Sequence, residues 1–201
     1  FNGIEVLRNV ELDVRYGEVH ALMGENGAGK STLMNILFGL IKADEGQILF
    51  EGKPADILSP NDAIHKGIGM IHQHFMLIPK FTIWENVTLG QRAQKSLVMP
   101  VAKLKEKVSE IAEQLHMKLD VNQLVSELSV GVQQKVEILK AIYRKSRLLI
   151  LDEPTSVLTP QESDELFKTL NKLRSDGCTV IFISHKLKEV MALSDRVSVL
   201  R

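Results

Sequence analysis

The residues most able to do chemistry lie in one run, Gly24-Glu25-Asn26-Gly27-Ala28-Gly29-Lys30-Ser31, with Thr32 following. The spacing is G-x-x-x-x-G-K-[ST], and its parts have separate physical roles. Glycines let the backbone curl until successive N–H groups face one point, and the first turn of a following helix adds its positive dipole end. Such a cradle takes phosphate oxygens. Lys30 is placed to reach β- and γ-phosphates, and the Ser31 hydroxyl is a hard oxygen ligand of the kind Mg2+ prefers. A Gly-rich turn that merely precedes a lysine is the plainer reading. It is weakened by context, because an apolar run leads into the loop and a helical pattern leads out of it. The complementary half is Leu148-Leu149-Ile150-Leu151-Asp152-Glu153, a buried strand pattern ending in two carboxylates. Ligands of open α/β sheets bind beyond the carboxyl ends of the strands, so Asp152 falls where a Mg2+ shell can be completed. Glu153, expected on the opposite face, can polarise an attacking water. A guanine-specific site would want N/T-K-x-D after a late strand. Asn171-Lys172-Leu173-Arg174 lacks the Asp and lies in a helical pattern, so an adenine nucleotide is expected.

These residues need elements to hold them. Short apolar runs alternate with helical periodicity, the pattern of a mostly parallel sheet covered by helices. Residues 19–23 predict the strand that feeds the phosphate loop, and Leu33, Ile36, Leu37 and Leu40 share one face of the helix that leaves it. Residues 46–52 predict a strand carrying Ile48 and Phe50, Ser59-Pro60 a short capped helix, and 69–73 another strand. Thr82-Ile83-Trp84-Glu85 has capping-box spacing. From about 95 to 128 the pattern is wholly helical, through Leu104, Val108, Ile111 and Leu115 and again over 119–128. It predicts an α-helical subdomain inserted into a catalytic core made of about 1–94 and 129–201. Ser129 predicts a helix start, 147–151 a strand buried on both faces, and Thr159-Pro160-Gln161-Glu162 a capped helix. Residues 179–183, 186–193 and 196–200 complete the pattern as strand, helix and strand.

Composition restricts the partners. The chain has 201 residues, 44% hydrophobic and 25% charged, which suits one globular domain. Twenty-five Lys plus Arg against 25 Asp plus Glu leaves a net charge of zero, so no global field draws it to nucleic acid or an anionic membrane. Any phosphate has to be held locally. Cys178 is the single cysteine, makes no internal disulfide and fits a reducing compartment. No apolar run approaches the roughly 18 residues of a spanning helix. His72 and His74 would share one strand face as a metal pair, but no third ligand lies at recognisable spacing, so packing or a partner contact is simpler. Phe75, Met76, Phe81 and Trp84 read equally as core or as a patch for a partner. The chain opens on Phe1 rather than Met and stops at Arg201 on a strand pattern, which predicts a piece of a longer polypeptide.

Phe1, Gln73, Ser129 with Gly131, Asp152-Glu153 and His185, in that order around the phosphate loop, resemble the nucleotide-binding domain of an ABC transporter over essentially the whole chain. The resemblance implies an α/β fold, a P-loop NTPase with a mostly parallel sheet core, an antiparallel β edge and an inserted α-helical subdomain. It implies ATP and Mg2+ as cofactors. By the same resemblance Phe1 stacks on adenine, and Gly24, Asn26, Gly27, Ala28, Gly29, Lys30, Ser31 and Thr32 hold the phosphates. Ser31, Gln73 and Asp152 surround the metal, while Glu153, His185 and Gln73 are catalytic. Gln73 senses metal and water, and His185 contacts the γ-phosphate. Leu128 to Gln134 becomes the signature segment, presented to ATP on a partner domain. Ser129 at a helix N-cap, with free amides behind it, suits an anion. Read on its own, Phe1 is equally a frayed apolar end.

The strings 72–79, 128–131, 136–141 and 154–162 further resemble the first ATPase half of bacterial nucleoside or simple-sugar importers, in which two halves are fused. That implies a second ATPase half, transmembrane permease subunits and a substrate-binding lipoprotein as partners, no nucleic acid, and a peripheral place on the cytoplasmic face of the cell membrane. The alternative is a soluble ABC-type ATPase acting on ribosomes or nucleic acid. A regulatory module without turnover is a third reading, opposed by Glu153 and His185. Val130 and Val132 depart from the usual L-S-G-G-Q, which predicts a weaker site where this segment meets a partner's ATP. Thr159 stands where many relatives carry Asp.

Overall fold

Apolar runs become strands in this chain because both their faces are covered. The computed structural model describes residues 6–90 and 100–201. In chain order the first elements are β1 (Val19–Gly24), α1 (Lys30–Leu37), β2 (Leu49–Phe50), β3 (Lys53–Pro54), α2 (Pro60–His65), β4 (Ile68–Ile71) and α3 (Ile83–Thr88). They are followed by α4 (Val101–Gln114), a 3-10 turn (Val125–Glu127), α5 (Val130–Tyr143), β5 (Leu148–Asp152), α6 (Pro160–Ser175), β6 (Thr179–Ile183), α7 (Leu187–Leu193) and β7 (Arg196–Leu200). Five strands form one sheet in the order β4-β5-β6-β1-β7, and each neighbouring pair is parallel.

Strand alternation divides the interior. Leu149 and Leu151 of β5, with Val180 and Phe182 of β6, belong to one core, whereas Leu148, Ile150, Ile181 and Ile183 belong to the other. Met34 and Phe38, at the end of α1, and Ala63 of α2 close the second core. Ile83, Val108, Val136, Leu170 and Val190, one from each of α3 to α7, close the first. The helical segment before α5 therefore shares its core with the sheet.

Side chains spelled locally set most helix starts. Ser59, Thr82, Ser129 and Thr159 each cap a helix by accepting a backbone N–H from three residues on, and Thr82 and Thr159 close full capping boxes with Glu85 and Glu162. Two expectations are corrected. The 46–52 strand shrinks to β2, which pairs antiparallel with β3 in a separate two-stranded sheet. Glu51 (φ 53°) and Gly52 (φ 74°) turn the chain between them, the left-handed pair that suits a tight hairpin. Residues 119–128 are not a helix beyond the 3-10 turn, because their backbone groups are bonded elsewhere. Ile83 and Trp84 donate to the carbonyls of Gln123 and Val121, and Val125 and Ser126 donate to those of Phe81 and Pro79, all at 3.0 Å. The segment serves as the collar of α3. The expected start of the helical stretch near residue 95 lies outside the described residues.

Trp84 is packed partly buried against the first core, with the Lys105 ammonium 5.3 Å above its ring, while Met76 is exposed. Cys178 is buried, which pushes its thiol up to about 11.

Candidate functional site

Four adjacent parallel strands end on one edge of the sheet, so the loops leaving β4, β5, β6 and β1 are neighbours although they are far apart in sequence. Those loops carry Gln73, Asp152 with Glu153, His185, and the run from Gly24 to Ser31.

In the loop after β1, Gly27 (φ 89°) and Gly29 (φ 93°) are left-handed, a conformation that L side chains resist. Gly29 is also the N-cap of α1 and supplies no side-chain bond, so the first amides of that helix keep their hydrogens for another acceptor. Lys30 is buried, and its ammonium donates to the carbonyls of Gly24 and Glu25, both at 2.8 Å. A positive charge is thereby held over the curl of amides. The loop has the polarity and shape of an anion cradle.

Ser31 follows at the exposed start of α1, and Asp152 stands at the end of β5. Burial raises the Asp152 carboxyl above its ordinary range, and the neighbouring Glu153 adds to the rise; the Ser31 hydroxyl and the charges of His72 and Lys30 oppose it. A hydroxyl and a carboxylate facing each other are a hard oxygen pair, the donor set that suits Mg2+. Glu153 does not continue the strand to the opposite face. It turns away at φ 46° while its N–H donates to Ile183 O at 3.1 Å, and its carboxylate comes 3.2 Å from His185 Nδ1. The catalytic pair expected from the sequence is thus in contact.

Gln73 lies exposed two residues beyond the end of β4, so the strand is shorter than expected. His72 and His74 are off the strand as well, and the shared-face argument for a metal pair lapses. His72 instead meets Phe38 edge-on at 6.2 Å, and burial pushes its imidazole pKa down against the opposing pull of Glu137 and Asp152.

Ser129 and Gly131 open a different element. Ser129 is exposed and caps α5 through Val132 N–H at 3.4 Å. Gly131 is buried, and a Cβ there would overlap the Glu162 carboxyl, whose pKa is lowered in part by the Gly131 amide. Among the described residues no hydrogen bond joins Ser129 or Gly131 to the phosphate loop. Val130 is exposed at the first position of the helix, and Val132 packs partly buried into the first core. Phe1 lies outside the described residues.

Sequence reasoning missed a second ring of polar groups. Thr155 and Ser184 donate to one oxygen of Glu189 at 2.6 and 3.0 Å. Glu137 accepts Met76 N–H at 2.7 Å, and Lys140 donates to Met76 O at 3.0 Å. An acid in the first turn of α7 was the only local sign of the first; the second has none, because its partners are 61 and 64 positions apart.

Comparison with known proteins gives the family. The family model described as ABC transporter matches residues 7–156. The glucose import ATP-binding protein of Haloferax volcanii is 47% identical over all of this chain and 42% of its own length. The nucleoside import ATP-binding protein of Lactococcus lactis subsp. cremoris is 47% identical over 96% of this chain and 38% of its own. The chain therefore spans about two fifths of the length of these relatives. Among solved structures, the ADP conformation of an ATP-binding cassette of an ABC transporter superposes with a TM-score of 0.88 at 29% identity, covering 100% of this chain and 83% of that one. A glycine-rich loop after β1, two acids at the end of β5 and a histidine beyond β6 thus lie in a chain matched by that family over three quarters of its length, and the chain belongs to the ABC transporter family as an ATP-binding domain.

Proposed function

We propose that this domain binds Mg·ATP at the β1–α1 loop and hydrolyses it to power import of a nucleoside or simple sugar. The observation that carries the reading is the convergence on one sheet edge of the Lys30 loop, Asp152 and the Glu153–His185 pair. The domain is an ATPase. In it the amides from Gly27 to Thr32 and the Lys30 ammonium hold the β- and γ-phosphates and neutralise charge that grows as the terminal phosphoryl leaves. Ser31 and Asp152, with Gln73, are the residues to hold Mg2+, which when bound supplies charge stabilisation on the phosphate oxygens. Glu153 accepts a hydrogen bond from the attacking water and takes its proton as the water attacks, and His185, one hydrogen bond away, keeps the carboxylate oriented and reaches toward the γ-phosphate. Phe1 is assigned to adenine stacking.

Ser129 and Gly131 serve a second nucleotide, bound on a partner ATPase half; among the described residues no hydrogen bond ties them to their own phosphate loop. Gly131 is needed for close approach of Glu162, so its role is to let α5 meet α6, and the Ser129 hydroxyl and first-turn amides are what remain for phosphate. The partner half belongs to the same polypeptide as this chain, and permease subunits and a binding lipoprotein complete the transporter at the cytoplasmic face of the membrane. The relatives are named as import ATP-binding proteins, and among the described residues no helix is long and apolar enough to cross a membrane. The segment of α4 and the 3-10 turn acts as the insertion between two parts of the catalytic core.

The test is ATP turnover by the full-length protein in its transporter complex. Lys30→Ala should lose ATP binding in an equilibrium assay. Glu153→Gln should keep binding and lose about 100-fold or more in kcat, the usual range for a positioned general base. Retained turnover in Glu153→Gln would remove the assignment.

A further inference from the structure

We propose that Glu189 is a positioning residue for hydrolysis: it locks the loop carrying His185 to the loop leaving Glu153, and thereby sets the distance between those two side chains. The proposal rests on the ATPase reading above. The loops start level, since Asp152 is paired with Ile183 in the sheet register. Beyond that point, among the described residues, Glu153 N–H to Ile183 O alone continues the ladder. Glu189, on α7, takes over. Its Oε2 accepts two hydroxyl hydrogens, from Thr155 on the first loop at 2.6 Å and from Ser184 on the second at 3.0 Å. Its Oε1 pairs with the Lys186 ammonium at 3.0 Å, and that ammonium also donates to Thr155 O at 3.2 Å. Ser184 Oγ in turn accepts Lys186 N–H at 3.1 Å.

Burial makes this arrangement demanding. Thr155 is 2% and Ser184 3% exposed, so neither hydroxyl has water to fall back on if the carboxylate is removed. A carboxylate only accepts, so both hydroxyl hydrogens are directed at one atom and each hydroxyl is fixed in rotation. Ser184 immediately precedes His185, and Thr155 follows Glu153 by two residues. Movement at either anchor is therefore passed to the His185–Glu153 contact of 3.2 Å, which is half exposed on the histidine side. Displacement of a reacting group by about 1 Å can cost about 100-fold in rate. Glu189 itself does not touch the site.

The experiment measures kcat and KM for ATP in the full-length transporter carrying Glu189→Ala, Glu189→Gln or Thr155→Val. Glu189→Ala should lower kcat by about 10-fold or more, with KM within two-fold of the unchanged protein, because most of the groups assigned to hold the phosphates, the amides from Gly27 to Thr32 and the Lys30 ammonium, belong to the β1–α1 loop. Glu189→Gln keeps an oxygen for both hydroxyls and should recover kcat to within about three-fold. Thr155→Val should reproduce part of the loss and add little to Glu189→Ala, since both remove the same link. Should Glu189→Ala fail to fold, Thr155→Val tests the same link, with a smaller fall in kcat expected and KM again within two-fold. Unchanged kcat in Glu189→Ala or Thr155→Val overturns the proposal, as does a loss in KM equal to that in kcat, or a Gln variant as poor as Ala. No turnover in the unmutated transporter would overturn the ATPase reading instead.

Discussion

Gln134 is 2% exposed in α5, and its side-chain nitrogen has no hydrogen-bond partner among the described residues. Nearby charged groups are treated differently. Glu137, also buried, accepts from Met76 N–H and pairs with Lys140. An unpaired buried donor costs about 1–3 kcal/mol, so a side chain of similar length without the amide should be preferred in the free domain. Gln134→Met is expected to raise stability by about 1–2 kcal/mol, read from urea midpoints without nucleotide. A fall in stability would mean that the amide is bonded in solution. This orphan could not be read from the sequence, where Gln133 and Gln134 look alike; only folding separates Gln133, which donates to Leu128 O at 3.1 Å, from its neighbour. The placing of Lys30 after β1 and of Asp152 at the end of β5 was legible from strictly local spacing, whereas the turn of Glu153 off the strand was not.

At the scale of elements, one carboxylate joins two helix starts. Glu162 closes the box of α6 by accepting Thr159 N–H at 2.9 Å and its hydroxyl at 3.0 Å, and its other oxygen lies against Gly131 at the start of α5. The Thr159 backbone first and its hydroxyl second hold the carboxyl below the ordinary value of 4.5. A depressed folded value means that the contribution is complete above 4.5 and disappears as pH falls through the lowered value. Glu162→Gln keeps an oxygen for the cap and loses the charge, so it should be less stable at pH 7 by about 0.5 kcal/mol, the scale of a charge near an exposed helix start, and the difference should close on acidification. Urea titrations at neutral and acid pH check both parts; a constant difference would assign the loss to packing on Gly131. The capping half of this interaction was legible in four consecutive letters. Its reach to Gly131 was not, for the same reason that residues 119–128 were misread as helix: the deciding partners come from another element.

For the molecule as a whole, the central strands announced themselves because a continuous apolar run is what burial on both faces demands, and the parallel order then delivers every strand-end residue to one edge. What periodicity could not give was how the two sides are divided. Ile138 of α5 lies in the core on one side of the sheet and Ile181 of β6 in the core on the other, at 0% and 1% exposure. If the sheet is a rigid partition, a truncation on one side is not felt on the other. Ile138→Val and Ile181→Val should each cost about 0.5–1.5 kcal/mol, small against the roughly 5–15 kcal/mol that hold a domain together. The double variant should lose the sum within about 0.5 kcal/mol, as independent sites do. A coupling above about 1 kcal/mol in the urea-measured cycle would show that the sheet flexes between its two cores. It would then be a path by which movement of the α3–α5 side reaches the loop and helix that hold phosphate, rather than a fixed platform for both.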